Sequence, residues 1–356
     1  MLKARRCVRE MREYHSPLSS PTTDLRLDMN ESTTGCSPRV LAKLNSMSAK
    51  TLALYPRREP GEKLVADFLC VASEQVLLTN GADEGIDLLC RAYLEPQNEI
   101  IVVTPAFAMY EVFAQTEDAK VVRVPAEADF SFPTERALSA ITPQTRVIVI
   151  CNPNNPTGLA VPRSTILKLI EAAPDAAILL DEAYFEFYGQ TLMDQIGKQP
   201  NLFIARTFSK AYGLAGLRLG VMIGHREQIS VLRRMVSPFN VNAFAMECLG
   251  EALADREFVS GYVAQVRSGR EWLRKELEQL GLKCWRSEAN FVLCRFGDAK
   301  KVVLEAMRVR GIALRDRPDC EGCVRITIGK QHEMERLIAE LKEVLAQIST
   351  APQVAR

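Results

Sequence analysis

Between about residues 75 and 223 the chain alternates short, continuously apolar runs with helix-length segments. The runs are Val76-Leu77-Leu78, Ile100-Ile101-Val102-Val103, Val121-Val122-Arg123-Val124, Val147-Ile148-Val149-Ile150, Ile178-Leu179-Leu180, Leu202-Phe203-Ile204 and Leu219-Gly220-Val221-Met222-Ile223. Runs rich in Val, Ile and Leu, without polar alternation, predict strands covered on both faces, and the helix-length spacers predict a largely parallel sheet. In the first spacer Ile86, Leu89, Cys90 and Tyr93 fall at i, i+3, i+4 and i+7, one face of a helix whose start, Asn80-Gly81-Ala82-Asp83-Glu84, has capping residues and first-turn acids.

After about residue 240 the texture changes. A long amphipathic helix is predicted near 255–280, stopping at Gly281, and a last one places Met334, Leu337, Ile338, Leu341, Leu345 and Ile348 on one face. Between them, 290–294 and 324–328 read as strands. The expected division is an N-terminal arm over 1–40 that belongs with the small domain, a large domain over 41–240 and a small C-terminal α+β domain over 241–356. The Ser-, Thr- and Pro-rich arm shows no strong helix or strand, and Ser349 to Arg356 reads as a frayed tail.

Composition narrows the function classes. The 356 residues, 47% hydrophobic, suffice for two cores, and 45 basic against 44 acidic residues, with no long like-charge run, disfavour a nucleic-acid partner. The charged N-terminus lacks the apolar stretch of a signal peptide, and no apolar run approaches the ~18 residues of a membrane span, so a cytoplasmic protein without membrane association is expected. Ten cysteines follow no framework; Cys320-Glu-Gly-Cys323, without a second pair or a histidine cluster, reads as chance spacing beside a turn, and no metal site is expected.

In open parallel sheets ligands sit beyond the carboxyl ends of the strands. There the chain offers a glycine turn opening a helix (Asn80 to Asp83), the rigid turn "NPNNPTG" with Asn152, Asn154 and Asn155, the acidic "LLDEAY" with Asp181, Glu182 and Tyr184, and "RTFSKAYGLAGLRLG" with Thr207, Ser209, Lys210 and Arg218. Asp-Glu after an apolar strand also suits a nucleotidase, but its companion phosphate loop, G-x-x-x-x-G-K-[ST], is missing from the sequence. A lysine desolvated at a strand end suits imine chemistry. With a carboxylate for a pyridinium nitrogen, and hydroxyl, guanidinium and helix-start amides for a phosphate, it makes the parts list for pyridoxal phosphate.

At these motifs, together with "LYPRREPGEKL", "NGADEGIDLL", "TPAFAMYEVF", "DEAYFEF", "NFVL", "GIALRD" and "CVRITIG", the chain resembles the fold-type I aminotransferases, most closely the histidinol-phosphate aminotransferase family, over about residues 28–330. The resemblance implies an α/β fold: a mostly parallel seven-stranded sheet between helices, plus a smaller α+β domain. It implies pyridoxal 5'-phosphate as cofactor, bonded to Lys210, which also moves the proton. Asp181 would hold the pyridine nitrogen, Tyr184 and Asn155 the ring oxygen, and Phe107 the ring face. Gly81, Ala82, Asp83, Ser209 and Arg218 would hold the phosphate, with Tyr55 reaching in from a second subunit of a homodimer that shares its active sites.

The resemblance also makes Arg325 the grip on the substrate's anionic group, with Arg315 helping and Asn155 nearby. The family's usual Asn-Glu-Asn-Pro-Tyr-Gly is Asn30-Glu31-Ser32-Thr33-Thr34-Gly35 here, so Thr34 replaces the tyrosine that lines the substrate site. The implied reaction is transamination between an L-amino acid such as glutamate and a keto partner, with histidinol phosphate and imidazole acetol phosphate as the expected second pair. Aromatic amino acids, or decarboxylation as in the threonine-phosphate decarboxylases, are the alternatives. A non-catalytic regulator would carry a DNA-binding domain for which residues 1–40 are too short.

Overall fold

The computed structural model describes residues 2–11, 13 and 24–350. All seven apolar runs are strands of one sheet: β2 (Val76–Thr79), β3 (Glu99–Thr104), β4 (Lys120–Pro125), β5 (Thr145–Cys151), β6 (Ala177–Asp181), β7 (Leu202–Thr207) and β8 (Gly220–Gly224). Their order is β2-β8-β7-β6-β5-β3-β4, parallel throughout except β8, which runs against both neighbours. The central strands are buried along their length because helices cover both faces, as the unbroken apolar runs require. Reversing β8 brings its first residue, Gly220, to the carboxyl edge of the sheet between Thr79 and Thr207.

A second sheet of five strands has the order β1-β11-β12-β10-β9, with β1 (Leu25–Leu27), β9 (Lys283–Cys284), β10 (Phe291–Arg295), β11 (Ile312–Asp316) and β12 (Cys323–Thr327). The helix Arg256–Gln279 leads into it and ends where Leu280 and the left-handed Gly281 (φ +77°) break the pattern. The final helix, Gln331–Thr350, buries Met334, Leu337, Ile338 and Leu341.

Two expectations change. The N-terminal stretch does contain regular structure: a one-turn helix, Arg6–Glu10, and β1, which pairs in parallel with β11 and turns Leu25 and Leu27 inward. Three residues are too few for alternation to register in the sequence, and the partner lies nearly three hundred residues away. At the other end the last helix continues through Ser349 and Thr350, where fraying was expected; residues 351–356 lie outside the described residues.

One buried ion pair stands under the carboxyl edge. The Arg206 guanidinium donates to Glu182 from Nε (2.9 Å) and Nη2 (2.7 Å) and lies 3.7 Å from the Phe185 ring centroid. Both partners are nearly inaccessible, so the pair persists only as a pair. Glu182→Ala leaves a buried guanidinium without its carboxylate and is expected to cost about 3–5 kcal/mol, read as a lower urea midpoint.

Candidate active site

At the carboxyl edge β5 and β6 end in register, Cys151 opposite Asp181, beside Thr207, Gly220 and Thr79. The loops beyond these ends enclose a cavity of about 1080 Å³ that also takes residues from β11, β12 and the segment after β1. Lys210, Asp181, Tyr184, Asn155, Phe107, Ala82, Asp83, Ser209, Arg218, Arg315 and Arg325 all line it.

Lys210 follows β7 and points its Nζ at the Met29 carbonyl (3.1 Å). Desolvation, and then the Arg325 charge, lower its amine to about 8, because burial and a nearby cation both penalise the ammonium. Asp181 closes β6. Its Oδ2 accepts from the Tyr110 hydroxyl (2.5 Å) and its Oδ1 from the Ala183 N–H (2.9 Å). Burial still pushes it up to about 6, so a cationic partner would restore the carboxylate. Sequence reading missed Tyr110: it lies in the quoted "TPAFAMYEVF", fully buried and edge-to-face with Phe107 at 5.6 Å, and a buried phenol needs a partner.

Tyr184 accepts from Asn30 Nδ2 (2.9 Å), which leaves its own hydroxyl proton free to donate toward the cavity. Asn30, whose role sequence reading also missed, adopts φ +55°. It bonds Thr327 through its N–H (3.0 Å) and Oδ1 (3.2 Å), and its carbonyl accepts from Asn290 (3.1 Å). Of the three turn amides only Asn155 faces the cavity. Asn152 accepts from Val161 N–H (2.9 Å) and Asn154 donates to the Pro105 carbonyl (3.1 Å), bracing the turn.

The candidate phosphate cradle is built from backbone. The Asn80 side chain makes no capping bond, and Glu84 reaches back to the Asn80 N–H (2.6 Å), so the first turn of the helix Gly81–Tyr93 keeps amides and the positive dipole end for a ligand. Gly81 has φ +80°, and a Cβ there would meet Arg218 Nη2 at 2.4 Å. A Cβ on Gly220 would meet the Gly81 carbonyl carbon at 2.4 Å and the Ala82 nitrogen at 2.5 Å. Arg218 Nη2 rests on Asp83 Oδ2 (3.1 Å), both half exposed, a contact worth little in water. Thr207 donates to Ser209 Oγ (2.9 Å), which leaves the Ser209 proton for the cavity.

Arg325 is buried. Its Nη1 donates to Asn155 Oδ1 (2.6 Å) and its Nη2 to the Asp28 carbonyl (2.5 Å), while its Nε has no partner. Burial lowers it to about 10. Arg315 is half-buried beside Met29. Two expected residues lie elsewhere. Thr34 stands against Gln265 (3.5 Å) and does not line the cavity, whereas Asn30 and Glu31 of the same segment do. Tyr55 is 76% exposed, stacked on Phe239 at 4.3 Å and away from its own chain's cavity. Among the described residues no group of three or more His, Cys, Asp or Glu is placed to hold a metal.

The sheet order and this edge define the fold-type I architecture. The family model "Aminotransferase class I and II" matches residues 22–341, and the chain belongs to that family. A histidinol-phosphate aminotransferase of Dehalococcoides mccartyi is 36% identical over 327 residues, 90% of each chain. Among solved structures, the histidinol-phosphate aminotransferase of Sinorhizobium meliloti in complex with pyridoxal-5'-phosphate superposes with a TM-score of 0.89 at 22% identity, over 96% of this chain and 97% of that one. The L-threonine-O-3-phosphate decarboxylase of Porphyromonas gingivalis does so at 0.80 and 23%, over 90% and 99%; both likenesses are of fold.

Pyridoxal 5'-phosphate is the cofactor of this family, and the residues present fit it: an uncapped helix start, a glycine cradle that a Cβ would fill, a buried carboxylate and a desolvated lysine. With Lys210 at about 8, the cofactor-free protein should take up pyridoxal phosphate about tenfold faster at pH 9 than at pH 7. An unshifted lysine would give about a hundredfold rise, and stopped-flow absorbance separates the two.

Proposed function

We propose that the chain is a histidinol-phosphate aminotransferase, moving an amino group between L-glutamate and imidazole acetol phosphate in two half-reactions. The observation that carries this reading is the 36% identity, over 90% of both chains, with a protein of that name. The site is compatible: Arg325 and Arg315 lie in one cavity with Lys210 and can take a carboxylate in one half-reaction and a phosphate in the other. The same two residues need not change place, because both ligands are small anions.

When bound, the cofactor supplies a carbonyl for the substrate amine and a ring that accepts the electron pair left by a departing proton. Lys210, neutral at mildly basic pH, holds and returns that proton at Nζ. Asp181, aligned by Tyr110 and Ala183, places negative charge at the foot of the cavity. Tyr184, its acceptor lone pair occupied by Asn30, presents a donor, and Phe107 presents an apolar face. The loops from both sheets exclude water and orient the anion.

We also divide the chain into a cofactor-bearing unit over 41–240 and a small unit over 241–356 joined by the N-terminal arm; the β1–β11 pairing supports assigning the arm to the small unit. No helix among the described residues is long and apolar enough to cross a membrane, and we place the enzyme in the cytoplasm. A homodimer is the assembly we infer. Leu41, Leu52, Leu54, Tyr55, Phe239 and Phe244 are exposed on or beside the helices Pro38–Asn45 and Ala243–Ala254, which pack together. An apolar patch of that kind marks an interface, and Tyr55 would then enter the partner's site.

Glutamate is expected to shift the cofactor absorbance from the aldehyde to the amine form, and imidazole acetol phosphate to restore it. Restoration only by phenylpyruvate would move the assignment to aromatic substrates, and no shift with any amino acid would favour decarboxylation. Phe239→Asp, by charging the patch, should convert a dimer to a monomer on light scattering; an unchanged mass would rule out this face.

A further inference from the structure

The five-stranded sheet holds a pair of thiols that the aminotransferase reading does not use. Cys284 of β9 lies directly opposite Cys294 of β10, and their sulfurs are 3.2 Å apart. The adjoining pair, Trp285 and Leu293, is joined by the Trp285 N–H to the Leu293 carbonyl (3.2 Å). Cys284 and Cys294 are therefore a non-hydrogen-bonded antiparallel pair, whose Cα atoms stand about 4.5 Å apart with side chains on one face. That separation lies within the span a disulfide bridges, about 4.4–6.8 Å, and a modest side-chain rotation brings the sulfurs to about 2.05 Å.

Access is unequal. Cys294 is fully buried, while Cys284, on the two-residue edge strand, is half-buried, so a small reagent meets Cys284 first. The hydrogen bond with Cys284 and burial both raise the Cys294 thiol well above the usual range. Cys320 and Cys323 are placed differently. They are 2% exposed, pack with Leu293 on the opposite face of the sheet, and Cys323 Sγ points at the Glu321 carbonyl (3.4 Å).

We propose that Cys284 and Cys294 form a reversible disulfide site for a small two-electron oxidant of the peroxide class. The Cys284 sulfur attacks one peroxide oxygen, breaking the O–O bond, and becomes a sulfenic acid while the other oxygen leaves as water. The Cys294 sulfur then displaces the hydroxyl as a second water, so two thiols and one hydrogen peroxide give one disulfide and two waters. The bond closes the loop 285–293, which braces the two sheets against each other. Glu288 N–H donates to the Gly158 carbonyl (2.7 Å), Ser287 fills the space a Gly158 Cβ would need, and Asn290 holds the Asn30 carbonyl (3.1 Å). Oxidation thus fixes the segment that seats the Asn155 turn and Asn30.

The holoenzyme would be treated with equimolar hydrogen peroxide, its remaining thiols alkylated, and its peptides mapped by mass spectrometry. The expected result is the loss of two titratable thiols, one cross-linked peptide pair containing Cys284 and Cys294, full reversal by dithiothreitol, and a thermal midpoint above that of the reduced enzyme. Cys284→Ser should keep all its remaining thiols under the same treatment. A Cys320–Cys323 link, a sulfinic acid at Cys284 without a cross-link, or ten unreacted thiols would overturn the proposal. Mapping on the unaltered chain keeps the test valid if a variant folds poorly.

Discussion

The site depends on the contact between two glycines. Gly220 opens β8 directly against the Gly81–Ala82 peptide, at distances that leave no room for a Cβ on Gly220. That approach sets where the helix Gly81–Tyr93 begins, and so where its amides and dipole converge. It exists because β8 runs against its neighbours and starts at the edge where they end. Arg218, two residues earlier in the left-handed region (φ +52°), is thereby folded back over the same helix start. The cradle follows from strand direction and the absence of side chains more than from any ligand-facing group.

A second joint ties the two sheets together on the other side of the cavity. Asn30 ties the segment after β1 to Thr327 of β12, to Asn290 before β10 and to Tyr184 after β6. It is 1% exposed and its polar atoms are satisfied by groups from both sheets. Relative motion of the sheets would therefore be felt first at the Tyr184 hydroxyl. Arg317 adds a tether, donating from beyond β11 to the Ala106 carbonyl beside Phe107 (3.1 Å).

The large sheet was legible in the sequence because its strands, the exposed edge strand β4 apart, are buried on both faces, and burial on both faces writes an unbroken apolar run. Asp181, the helix start and Lys210 were legible for a related reason: the first two directly follow such a run, and Lys210 lies in the loop after another. What escaped was whatever depends on distant partners. β1 is three residues long and is a strand only because β11 is beside it, and the orientation of Asn152 and Asn154 away from the cavity is set by Val161 and Pro105. Tyr110 and Asn30 looked like ordinary helix and loop residues until packing brought one to Asp181 and the other to Tyr184.

Arg325 carries its charge into a buried place with only neutral oxygens, the Asn155 amide and the Asp28 carbonyl, as hydrogen-bond partners, and with Nε left over. A guanidinium held that way is under-neutralised. The desolvation of that charge is already met in folding, and a small tetrahedral or carboxylate anion brought to Nε would offset it. On the role proposed for Arg325 the buffer becomes a reactant in that sense: phosphate or sulfate in solution would compete with the substrate's own anion.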